Sequence, residues 1–260
     1  MNNKVNFIFA VCFLFSTSLF SENIHAKGLK LLKVDKAEAF KVFITGAENG
    51  NSACMYELAV MYQDGIEVHK DAKQAVNWYE KSAKLGYAKA QNNLGLYYLN
   101  GLGGLQEDSE TGYKFLKLAA DQGLPESLFV IAYSYEVGMH YEKNLNNAKN
   151  FYIKAMDAGH LISKFHYGKL IFEHSAELKS DKEVGLKILK ESANDDKVGF
   201  ATLYLFKIYS RGIGVKKDKI EALKWISMAV ELKLKEADQL KKNLETEIRI
   251  EQAIKQTKVN

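Results

Sequence analysis

The chain has 260 residues, with 36 Lys and Arg against 32 Asp and Glu, a formal charge of +4, a single proline and two cysteines. That length admits one or two ordinary domains, and so small and dispersed a charge argues against nucleic acid or an anionic membrane surface as the partner.

The first 26 residues have the layout of a secretory leader. Lys4 supplies a positive start, Phe7 to Phe15 are uninterruptedly apolar, and a polar stretch leads to Ile24-His25-Ala26, with cleavage expected after Ala26. The apolar run is shorter than the roughly 20 residues of a spanning helix, although Ser16 to Phe20 would lengthen it if the leader stayed as an anchor. Removing it leaves 27–260, no integral membrane span, a periplasmic or secreted location, and Cys54 as the single thiol. No internal disulfide then supports the fold, and Cys54 reads as a small buried apolar residue.

Residues 27–34 form a lead-in. One pattern then returns every 36 or 37 residues: Leu58-Ala59-x-x-Tyr62-x-x-Gly65, Leu94-Gly95-x-x-Tyr98-x-x-Gly101, Ile131-Ala132-x-x-Tyr135-x-x-Gly138, a worn Tyr167-Gly168-x-x-Ile171-x-x-His174, and Leu205-Phe206-x-x-Tyr209-x-x-Gly212. Each block has the spacing of one helix face and ends, in four copies, on the glycine that suits a left-handed C-terminus. A short loop leads to a second helix, opened by Asp71, Asp108, Asn144, Asp181 or Asp218 as N-cap. Asp71 with Gln74, and Asp218 with Glu221, have the capping-box spacing. Trp78, Phe115, Phe151, Ile188 and Trp225 share one core slot. Asp35 to Gly50 repeats the second-helix pattern alone, and 236–260 supplies a charged helix with an apolar stripe, Ala237, Leu240, Leu244, Ile248 and Ala253, that caps the array. The expected count is twelve helices: an orphan second helix, five pairs and the cap. A fixed period of this length means stacked units, each burying its apolar face on its neighbours.

The pattern Ala-x-x-x-Leu-Gly-x-x-Tyr-x-x-Gly-x-Gly-Val, followed by Asp, Ala, Trp, Ala-Ala and Gly at fixed offsets, resembles the Sel-one-like repeat, a relative of the tetratricopeptide repeat. Copy two shows it as Ala90, Leu94, Gly95, Tyr98, Gly101, Asp108, Phe115, Ala119, Ala120 and Gly123, and copy five as Gly212-Ile213-Gly214-Val215 with Trp225. The resemblance covers about 35–235; copy four departs through His174, Asp196 and the connector Ser175 to Asp181. It implies an all-α, right-handed α-solenoid whose first helices line a concave face. It also implies an adaptor or scaffold, exported from a bacterium, that acts on envelope signalling or assembly, engages a host, or serves as an immunity protein against a secreted, type VI lipase-like toxin. The enzymatic relatives, penicillin-interacting or β-lactamase-like, depend on paired cysteines that this chain lacks.

The residues themselves point away from catalysis. The mature chain has no Ser-x-x-Lys, Gly-x-Ser-x-Gly, phosphate loop or Cys-x-x-Cys. Thr111-Gly112-Tyr113-Lys114 has the spacing with the weaker nucleophile, at a helix start that Asp108 already explains. His166 and His174 stand two helical turns apart, too far to share a metal. The expectation is a non-enzymatic monomer with no cofactor and no metal.

Counting 100° per residue from Leu58, the opposite face of the first helices carries Tyr56, Val60, Leu96, Leu99, Phe129, Tyr133, Phe165 and Lys169, then turns basic through Lys207 and Arg211. A contiguous apolar and aromatic face on helices otherwise free to be polar marks a protein-binding surface. The alternative is that Tyr56, Phe129 and Phe165 pack sideways on adjacent first helices.

Overall fold

Helix formation follows the repeat copy by copy. A computed structural model describes residues 24–257; the apolar part of the expected leader lies outside them. Thirteen helices and no strand occur among the described residues: α1 over residues 24–31, α2 Lys36–Glu48, α3 Ser52–Asp64, α4 Ala72–Lys84, α5 Ala88–Leu99, α6 Ser109–Asp121, α7 Pro125–Val137, α8 Leu145–Asp157, α9 Leu161–Glu173, α10 Lys182–Asn194, α11 Gly199–Arg211, α12 Lys219–Glu231 and α13 Ala237–Thr257. Copies one to five are the pairs α3–α4, α5–α6, α7–α8, α9–α10 and α11–α12. The all-helical repeat architecture is therefore as expected, and so are the twelve helices from α2 onward.

Every expected N-cap acts as one. Asp35, Asp71, Asp108, Asn144, Asp181 and Asp218 each accept a backbone N–H from the first turn that follows, an interaction worth about 1 kcal/mol per cap. The capping box is only half formed. The N–H of Asp71 donates to the carbonyl of Tyr62, and that of Asp218 to Tyr209, each at 2.9 Å. Asp108 to Tyr98 and Asn144 to Tyr135 repeat the bond, so the repeated tyrosine anchors the next helix through its backbone. Glu221, free of the reverse capping role, accepts the indole N–H of Trp225 at 3.0 Å.

Two compact units divide the chain within α7: residues 24–134 with 138–142, and residues 135–137 with 143–257. In the first, α2 packs on α3, α3 on α4, α4 on α5 and α5 on α6. One core gathers Phe43, Cys54, Leu58 and Met61, and the next gathers Ala75, Tyr79, Ala90 and Leu94. Cys54 is fully buried, and burial, with Glu57 adding to it, raises its thiol to about 12; it is the inert core residue expected. In the second unit α8 to α13 pack in chain order around Leu189, Leu205, Ile208, Trp225 and Ile226. The cap α13 buries Ala237 and Leu244 and leans Leu240 and Ile248 on that core, whereas Ala253 is exposed.

One feature departs from expectation, and the irregularity expected of copy four takes a definite form. The lead-in is a helix: a Cβ on Gly28 of α1 would sit 2.2 Å from the Phe43 ring, and His25 Nε2 meets Glu57 Oε1 at 3.2 Å. So α2 has a partner and is not an orphan. In copy four, α9 ends on His174 at φ −118°, without the left-handed glycine. The chain then closes on itself through Leu178 N–H to the His174 carbonyl and Ser180 N–H to the Ser175 carbonyl, with Leu178 buried as a plug.

Candidate partner-binding face

In the first unit, the first-helix face is a polar ladder edged by rings. The buried Tyr79 hydroxyl donates to Gln63 Oε1 at 2.9 Å and accepts from Asn93 Nδ2 at 3.0 Å, and the Tyr97 hydroxyl reaches the same Gln63 oxygen at 3.1 Å. Asn92 Nδ2 continues to Asn93 Oδ1, and Ser127 Oγ donates to Asn92 Oδ1 at 2.8 Å. This satisfied network ties α3, α4, α5 and α7 and fixes the side chains at the face. Burial raises the Tyr79 phenol, with Asn93 opposing, so it stays protonated and donating.

The expected face residues divide into three groups. Tyr56 packs between Tyr79 and Tyr87, at centroid distances of 5.8 and 5.3 Å, and Val60 is half-buried against the core of copies one and two. Leu99 fills the space a Cβ on Gly112 would need. These three brace the stack while keeping part of their surface outside. Leu96 is half-buried beside an open cavity. Phe129 stacks on Tyr133 with rings 21° apart, and Tyr133 is 40% exposed. Tyr133 and Phe129 are thus the accessible aromatic pair of this unit.

In the second unit Phe165 is core and not face, taking the alternative of sideways packing on an adjacent first helix. It is 8% exposed and lies against Phe200 and Tyr204 of α11, because a first helix here meets the first helix of the next copy along its flank. Lys169 is on the surface but spanned by Glu173 at 3.7 Å, and Glu173 also accepts the Tyr204 hydroxyl at 2.5 Å. Lys207 and Arg211 are exposed, so the basic end of the face falls to these two. Nearby, the Tyr152 hydroxyl donates to Glu136 Oε2 at 2.5 Å and lies 3.5 Å from His166 Nδ1. Burial, then the charges of Lys169 and His160, lowers His166 to about 4. Helical periodicity does not single out the Gln63–Tyr79–Asn93 and Glu136–Tyr152–His166 clusters, although a polar residue repeating beside the core tyrosine is visible in the sequence. Among the described residues no group of three His, Cys, Asp or Glu side chains could hold a metal, and no helix is long and apolar enough to cross a membrane.

The Sel1 repeat model matches residues 52–87, 88–124, 125–160 and 200–234, more than half of the chain. The chain belongs to the Sel1 repeat family. The matches omit copy four, although α9 and α10 fold there as a helix pair. Among curated relatives, chitin synthase regulatory factor 3 of Schizosaccharomyces pombe is 30% identical over 119 residues, 46% of this chain and 12% of that protein; this chain spans only a small part of its length. Among solved structures, a Sel1 repeat protein from Oxalobacter formigenes aligns with TM-score 0.73 at 26% identity, covering 84% of this chain and 86% of that one. The protective antigen c5321 of uropathogenic Escherichia coli has the same fold, with TM-score 0.70 at 22% identity over 87% of this chain and 49% of that one.

Proposed function

We propose that this chain is an exported, non-enzymatic adaptor or regulator that binds a partner protein through the first-helix face, in the periplasm or after secretion. The observation that carries the reading is the Phe129–Tyr133 ring pair, standing at the surface of a unit whose neighbouring polar groups are already hydrogen-bonded to one another. An aromatic anchor on a pre-fixed surface binds without a large ordering penalty. The family is one of protein-interaction scaffolds, and a relative named for regulating chitin synthase supports a regulatory role over a catalytic one.

The test is capture from an envelope extract by the full chain, with Phe129→Ala/Tyr133→Ala and Lys207→Glu/Arg211→Glu in parallel. Loss of a wild-type partner with unchanged circular dichroism supports the face. Retention by both variants places binding elsewhere, and a covalent adduct with an acylating β-lactam probe overturns the non-enzymatic reading. Identification of a secreted toxin as the captured protein would turn the adaptor into an immunity protein.

A further inference from the structure

A cavity of about 560 Å³ opens on the first unit, between α3, α5 and the loops that follow them. It falls within the range of about 300–1,000 Å³ usual for ligand sites. Leu96, Tyr97 and Leu102 give it an apolar wall, and its polar groups are unequal. Gln63 Oε1 is taken by two tyrosine hydroxyls and its Nε2 by Asp64, while Asn93 is held between Tyr79 and Asn92. Asn100 commits its Nδ2 to the Leu96 carbonyl at 2.7 Å, which fixes the side chain and keeps Oδ1 as an acceptor. Lys70 is the one charged residue lining the cavity, and it forms no ion pair among the described residues.

The walls are stiff. A Cβ on Gly103 would meet the Ala72 carbonyl oxygen at 2.6 Å and Val76 Cγ2 at 2.5 Å, so this loop lies directly on α4 at φ 66°. Two repeats on, the lysine recurs as Lys143, but Asn93, Leu96 and Asn100 are replaced by His166, Lys169 and Glu173. The first unit's cavity therefore has an apolar wall and a single charged lining residue, Lys70, with the Asp64 carboxylate behind Gln63. The site two repeats on carries charges of both signs in its wall.

We propose that this cavity binds the free C-terminal end of an extended peptide whose last residue is apolar. The Lys70 ammonium pairs with the terminal carboxylate, a charge-assisted contact about twice as strong as a neutral one. Asn100 Oδ1 accepts the last backbone N–H, and the last side chain lies on Leu96 and Leu102. The same lysine repels a basic segment or a chain's amino end, so charge selects the carboxylate terminus. This rests on the protein-binding reading above and narrows it to one kind of partner segment.

The experiment is fluorescence anisotropy of the full chain with a fluorescein-labelled hexapeptide, Gly-Ser-Gly-Ser-Ala-Leu, as free acid and as C-terminal amide. The free acid is expected to bind saturably and the amide about tenfold more weakly, a difference of about 1.4 kcal/mol. Lys70→Gln lowers affinity for the acid by a similar factor and leaves the amide unchanged, with unaltered circular dichroism. Equal binding of acid and amide, absence of saturable binding, or an unaffected Lys70→Gln variant overturns the proposal. Decanoate displacing the peptide at equal affinity also overturns it, in favour of a site for simple aliphatic acids. Capture from extract separates the two levels. A partner held equally by wild type and Lys70→Gln defeats the cavity proposal and leaves the protein-binding reading standing, whereas capture of nothing by the wild type defeats that reading itself.

Discussion

Tyr79 and Tyr152 occupy one position two repeats apart, and each buried hydroxyl lies between a polar residue of its own copy's first helix and one from the first helix of the next copy. For Tyr79 the pair is Gln63 and Asn93; for Tyr152 it is Glu136 and His166. Copies two and four fill the same slots with Leu99 and Leu116, or with Phe172 and Leu189. The first four copies thus alternate between a polar-keyed and an apolar-keyed form, copy five placing Ser210 and Ile226 in these slots, and the second polar key is the one that titrates.

That difference predicts a pH effect confined to the second unit. His166 sits at about 4 because burial, with Lys169 and His160, disfavours the imidazolium; Glu136, 4.0 Å away, already accepts the Tyr152 hydroxyl. A histidine lowered in the folded state supports stability fully above its unfolded value of about 6.5 and loses that support as pH falls towards 4. The loss is at most about 3 kcal/mol, and none is added below the folded value. His166→Asn, which copies Asn93, is expected to flatten this part of a urea-denaturation profile between pH 7 and 4. An unchanged slope would show that another group carries it.

In the first unit, Tyr79→Phe removes the donor to Gln63 and the acceptor for Asn93 while leaving the ring. Leaving the half-buried Asn93 Nδ2 without its acceptor, and Gln63 Oε1 with the Tyr97 hydroxyl alone, is expected to lower stability by about 1–3 kcal/mol. Tyr97→Phe, whose bond to Gln63 is one of two that oxygen accepts, is expected to cost less. Thermal unfolding of the pair of variants, each against wild type, gives the order.

Much of the fold is legible in the sequence because it is local. A cap needs only an Asp or Asn ahead of a helix, and Asp71 to Asp218 recur at the right places; the tyrosine-to-glycine spacing sets the first helices. For Phe165 the sequence leaves face and flank open, because a wheel drawn on a single helix assigns one inner face, whereas in a stack the flanks also meet neighbours, here Phe200 and Tyr204. The helix α1 is hidden by its position at the end of a leader-like stretch. The cavity at Lys70 and Leu102 joins two loops that no helical period relates.

The apolar-keyed copies bring their helices closest. A Cβ on Gly112 would lie 2.9 Å from the Gly95 carbonyl oxygen and 2.7 Å from Leu99, and one on Gly185 would lie 2.5 Å from the Phe172 backbone nitrogen. Gly112→Ala and Gly185→Ala are each expected to destabilise by about 1–3 kcal/mol through overpacking. Adding Leu99→Ala should recover part of the first loss, since a side chain is half of that obstacle. No such partner change relieves Gly185, where the obstacle is backbone. Equal losses in urea denaturation, unaffected by Leu99→Ala, would contradict this packing.

Loop chemistry gives a substitution of opposite sign. Gly214 and Gly103 adopt φ of 68° and 66° at the second glycine of the loop, and Glu67 holds the equivalent place in copy one at φ 61°. A residue with a Cβ in this region is strained by about 1–2 kcal/mol. Glu67 is exposed, so Glu67→Gly is expected to raise stability by about 1 kcal/mol, less the extra freedom glycine gives the unfolded chain. A lower denaturation midpoint would show that the glutamate makes a compensating contact.

The N-terminal helix makes a last prediction about processing. If a leader is removed, cleavage after Ala26 takes away Ile24 and His25, yet Ile24 reaches the surface of α2 at Gly46 and His25 bonds Glu57 and lies 6.2 Å from the Phe43 ring. Losing them uncovers part of the core around Phe43 and leaves Glu57, whose side chain is 15% exposed, without its partner. A chain beginning at Glu22 is therefore expected to unfold at a higher temperature than one beginning at Lys27. If the chain is exported and processed, its intact mass should correspondingly place the first residue ahead of Ile24. Equal melting temperatures, together with a mass that begins at Lys27, would show that α1 is dispensable and that Ala26 is the processing point after all.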